Sequence, residues 1–98
     1  MNSTQKRLSE SAWAMLETLS RLRKSVQQEQ GFFHSISPKL KSERLEAALQ
    51  EIDGFSSRVS GFLSEIHQRD EGSLEAAYSV IEGRFEELTA SIAKLLGR

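Results

Sequence analysis

Cysteine is absent from this chain, which excludes disulfides and thiolate chemistry and fits a reducing compartment. Proline occurs once and glycine six times, too few turn-formers for a sandwich of short strands. No apolar run approaches the roughly 18–20 residues of a transmembrane helix. The opening stretch "MNSTQKRLSE" has no apolar h-region of the kind a signal peptide carries. A cytoplasmic location is the expectation. A basic excess is also missing: the formal net charge is −1 and the pI about 6.1, which argues against a general nucleic-acid binder. Histidine is limited to His34 and His67, with no His-x-x-x-His or Glu-x-x-His spacing, so neither a metal nor a cofactor is expected. "DGFSSRVSG" lacks the terminal Gly-Lys of a phosphate loop. The acidic pairs Asp70–Glu71 and Glu86–Glu87 are sequence neighbours, which diverge on a helix and cannot share a proton. With no nucleophile beside a base, no enzymatic activity and no small-molecule substrate are expected.

What the chain does have is apolar periodicity. Leu8, Ala12, Met15, Leu19, Leu22 and Val26 alternate spacings of four and three, the seam of a heptad helix. Gly31 follows as the expected stop. A second seam runs through Leu45, Ala48, Ile52, Phe55, Val59, Phe62 and Ile66. Ser37 is placed to cap it and Pro38 to occupy its first position. A third runs through Leu74, Tyr78, Ile81, Phe85, Leu88, Ile92 and Leu95, with Ser73 as the expected cap and Gly97 as the stop. The expected fold is all-α: one domain over residues 1–98, a three-helix antiparallel (up-down-up) coiled-coil-like bundle with helices at about 4–30, 38–69 and 73–96. "QGFFHSIS" would connect the first two helices. Residues 1–31 hold a basic excess and residues 71–98 an acidic one, so the first and third helices attract.

The weak point is "DGFSSRVSGF", residues 53–62, with two glycines and three serines. These cost a helix roughly 3–4 kcal/mol against alanine. Burial of Phe55, Val59 and Phe62 returns roughly 1.5–3 kcal/mol each. Packing wins, and the stretch is expected to be the middle of one long helix, the longest of the three. The expected core comprises Leu19, Leu22, Ile52, Phe55, Val59, Phe62, Ile81, Phe85, Leu88 and Ile92.

Functional readings rest on what the seams do not absorb. Trp13 and Leu16 widen the first stripe at b and e positions. Phe32, Phe33 and Ile36 lie in the first connection. Ala47, Gly54 and Gly61 recur every seven residues on the second helix, a smooth stripe that lets another backbone approach. The expectation is a non-catalytic helical protein-interaction module, an adaptor, assembly subunit or small dedicated chaperone. It would bind a partner helix, or another copy of itself, through Trp13, Leu16, Phe32, Phe33, Gly54 and Gly61. One alternative is a histidine phosphocarrier acting through His67. Histidine phosphotransfer domains are bundles of this size, but where their motif resembles His-x-x-Lys-Gly this chain has Asp70 and reaches glycine only at Gly72. Another is a peripheral lipid-binding bundle. The absence of a strongly basic face disfavours membrane contact, and the short cluster "RLRK" at 21–24 reads as a solvated face.

Overall fold

The computed structural model describes residues 2–33 and 39–97, and within them the side chains of all but 32, 33 and 39–41. Three helices follow in order: α1 (Ser3–Phe33), α2 (Lys39–Ser64) and α3 (Glu71–Leu95). All three pairs are in contact. α2 runs antiparallel to α1. Arg23 near the end of α1 pairs with Asp53, Gln30 bonds Glu46, and Gln5 at the start of α1 donates to the Ile66 carbonyl at 3.1 Å. α3 returns parallel to α1, and Arg7 bridges to Glu75 at 3.1 Å. The bundle is a rod of 52 × 19 × 17 Å.

Residues 53–62 are helical throughout, and Phe55, Val59 and Phe62 are all buried. The register passes through the glycines unbroken. Ser57 in this stretch and Ser64 just beyond it turn their hydroxyls back onto the helix: Ser57 donates to the Asp53 carbonyl at 3.2 Å and Ser64 to the Gly61 carbonyl at 2.8 Å.

The helix ends differ from those read in the sequence. α1 continues through Gly31 to Phe33, because Gly31 does not enter the left-handed region; among the described glycines only Gly97 does, at φ 78°. A glycine in right-handed conformation weakens a helix by about 1 kcal/mol but does not stop it. Phe32 and Phe33 thus belong to the helix backbone rather than to the connection. Ser37, Pro38 and Ile36 lie outside the described residues. α2 ends at Ser64, five residues before the expected 69. There the Glu65 N–H is shared between the Gly61 and Phe62 carbonyls, both at 3.2 Å, and Gln68 bonds Glu65 at 2.9 Å. Such three-residue bonding tightens the chain into turns, yet Ile66 stays buried. α1, with 31 residues, is the longest helix, not α2 with 26. α3 starts at Glu71 because Asp70, not Ser73, is its cap. Extended at φ −72° and ψ 167°, Asp70 accepts the Ser73 N–H at 2.8 Å. A carboxylate satisfies that N–H and also faces the positive helix end. At the start of α1, Asn2 and Gln5 bond reciprocally, 2.8 and 3.1 Å, a capping box.

Burial is unequal. α1 buries Leu8, Ala12, Met15, Leu19 and Val26; α2 buries Leu45, Ala48, Leu49, Ile52, Phe55, Val59 and Phe62, and the turn after it buries Ile66. α3 buries only Leu74 and Ile92. Of the expected core, Leu22, Ile81, Phe85 and Leu88 are only partly buried, packed against its margin. α1 and α2 form the tight pair, and α3 lies on them more loosely. Two aromatic pairs pin it, Phe55–Phe85 with centroids 6.2 Å apart and Phe62–Tyr78 at 6.0 Å.

The Arg23–Asp53 pair ties α1 to α2. Arg23 Nε and Nη2 donate to the two Asp53 oxygens at 2.8 and 3.3 Å. These bonds hold the Asp53 carboxyl below the usual carboxylate range. A carboxyl depressed on folding adds stability above its unfolded value and loses it as pH falls through its folded one. The effect is small because the pair is exposed. Urea midpoints taken downward from about pH 5 are therefore expected to fall further for the native chain than for Asp53→Asn. Parallel acid profiles would show the pair contributes nothing.

Candidate interaction surface

Trp13 is 61% exposed on the outer side of α1. It lies with Glu10, Ala14, Leu16 and Glu17 around a shallow depression made by that helix alone. Leu16 itself packs against the core margin. Val80, on α3, is the other large exposed apolar side chain described, at 60%.

Gly54 is exposed on α2 and borders a different feature. The shallow seating of α3 leaves a groove along α2 and α3, in two depressions of about 460 and 520 Å³ that share Glu51 and Ser91. Its floor is apolar: Phe55 and Leu88 in one part, Ala48, Ile92 and Leu95 in the other. Its rim is charged. Arg44, Glu51 and Arg58 follow at seven-residue steps on α2; Arg84, Glu87 and Lys94 line α3. All six are exposed. None forms an ion pair with a described residue, whereas Arg7, Arg21, Arg23 and Arg69 all do. A smaller groove of about 340 Å³ between α1 and α3 carries Glu82 and Glu86 on its rim.

The residues singled out in the sequence therefore do not form one patch. Trp13 and Leu16 share α1. Gly54 lines the α2–α3 groove. Gly61 is exposed on α2, lines neither depression of that groove, and has nothing within 4 Å of where a Cβ would stand. The side chains of Phe32 and Phe33 lie outside the described residues. His67 is exposed in the turn that follows α2. No group of three or more potential metal ligands occurs among the described residues, and no described helix is long and apolar enough to cross a membrane. The rim cations were not singled out in the sequence; the recurrence of charge at the seam-flanking positions 44, 51 and 58 was the available signal.

No family model, curated protein or solved structure matches this chain.

Proposed function

We propose that this chain is a non-catalytic helical interaction module, cytoplasmic, that binds a helix of another protein along the apolar flanks of its bundle. The observation that carries this reading is the incomplete closure of the third seam. Ile81, Phe85 and Leu88 keep heptad spacing yet are only partly buried; Leu88 lines the α2–α3 groove and Phe85 the smaller one between α1 and α3. A helix that satisfies the packing pattern and still leaves that face half open has surface to offer a further helix. The exposed Trp13 is a second apolar anchor of the kind that carries binding energy at interfaces.

Trp13 also supplies the test. In the dilute isolated chain its emission is expected to be that of a solvated indole, and Trp13→Ala should leave helicity and melting nearly unchanged, within about 0.5 kcal/mol. A photocrosslinker at position 13 or 54, used in the cell of origin, is expected to capture a discrete partner protein. No capture at either position, with no peptide or protein ligand found, would sink the reading.

A further inference from the structure

We infer that the α2–α3 groove takes an amphipathic helix with acidic flanks, from a different protein rather than a second copy of this chain. The inference rests on the interaction-module reading and adds the site and the chemistry of its occupant.

Lys6, Lys24, Arg44, Arg58, Arg84 and Lys94 lack a carboxylate partner among the described residues. The last four line this one groove. Arg58 and Arg84 border the same depression from opposite helices, and Arg44 and Lys94 border the next. Facing like charges oppose closure of α2 onto α3 and leave both pairs open to an anion. Between them lie Glu51 and Glu87. The rim thus reads positive, negative, positive along its length.

That pattern selects the occupant. The groove spans Arg44 to Arg58, about 21 Å or four helical turns, and its floor suits apolar side chains at three- and four-residue spacing. Charge complementarity asks for acidic residues near both ends of the incoming helix and a basic one near its middle. A second copy meeting groove to groove fails in either direction. Parallel, α2 faces α3 of the copy, so Arg58 meets Arg84 and Arg44 meets Lys94; antiparallel, Arg44 meets Arg58 and Glu51 meets Glu51. A copy docking its outer α1 face instead would make a head-to-tail contact, which builds a ring or an open filament rather than a two-fold dimer.

The test uses the full chain and two labelled designed 18-residue helices. Both carry a leucine face; one has glutamates near its ends and a central lysine, the other has these charges exchanged. Anisotropy should show binding of the glutamate-ended peptide, weakening as salt rises. Amide shifts should fall on α2 and α3, and Trp13 emission should stay unchanged because α1 contributes nothing to the groove. Arg58→Glu with Arg84→Glu should weaken binding about tenfold or more. Arg44→Glu with Lys94→Glu should do the same, so that misfolding of one double variant does not decide the matter. Circular dichroism confirms that each is folded. Equal binding of both peptides, indifference to the reversals, or a concentration-dependent dimer abolished by them would overturn the inference. So would association with anionic vesicles in preference to the glutamate-ended peptide. If the peptides fail while a crosslinker at position 13 still captures a protein, the groove is wrong and the interaction-module reading stands.

Discussion

Replacement of Ile52 by alanine is expected to cost about 2–5 kcal/mol, a large part of the roughly 5–15 kcal/mol that holds a small domain together. Ile52 is 1% exposed in the middle of α2, in the part of the core that α1 and α2 make tightly. Its side chain cannot be removed without leaving a cavity that rigid neighbours on two helices fail to fill. Leu88→Ala is expected to cost clearly less, about half as much or under. Leu88 is only partly buried and already faces the groove. Part of its surface is in water before the change, and the rest borders open space rather than a sealed cavity. Urea denaturation of the two variants, with slopes compared, decides the point. A Leu88 variant that loses as much as the Ile52 variant would mean that α3 seats as deeply as its neighbours. The groove would then be closed in solution, and the proposed docking surface would go with it.

This contrast also marks how far the sequence could be read. The three seams were legible because heptad spacing reflects one physical demand, that an apolar stripe stay on one face over many turns. Phe55, Val59 and Phe62 meet it even through two glycines, and all three are buried. The same spacing at Ile81, Phe85 and Leu88 says which way a side chain leans, not how closely the next helix approaches. Burial of α3 was therefore overestimated. Helix ends were missed for another reason. They are set by single hydrogen bonds, such as Asp70 accepting from Ser73 or Glu65 sharing two carbonyls, and several residues nearby could have made equivalent ones. The groove rim was hidden more deeply. Arg58 and Arg84 are 26 residues apart in the sequence, and nothing local says that they border one depression. That follows only once chain direction and the flank each helix turns to its neighbour are known. Trp13 was harder to place: a b position lies off the seam, but a large ring there could also fold over the gap between two helices, and the structure leaves it exposed.

The glycines give the second large expected effect. At Gly54, Gly61 and Gly83 an added Cβ would meet nothing within 4 Å, and none of the three has positive φ. Alanine there removes backbone freedom from the unfolded chain without strain in the folded one, worth about 0.5–1 kcal/mol per site. Well-separated sites add, so the triple variant should gain about 1.5–3 kcal/mol, raising the melting temperature by about 6–24 °C. Stability alone treats the three positions alike; binding should not. Gly54 lines the α2–α3 groove, while Gly61 and Gly83 line neither of its depressions. A methyl at position 54 would narrow the approach of an incoming helix backbone, which is the one circumstance in which a glycine there is worth its cost in helix stability. Gly54→Ala is thus expected to raise the melting temperature and weaken the glutamate-ended peptide, whereas Gly61→Ala and Gly83→Ala raise it and leave that affinity unchanged. Equal affinities in all three variants would show that the small residues at 47, 54 and 61 are an ordinary solvent face, and that any partner sits higher, on the charged rim, without reaching the floor.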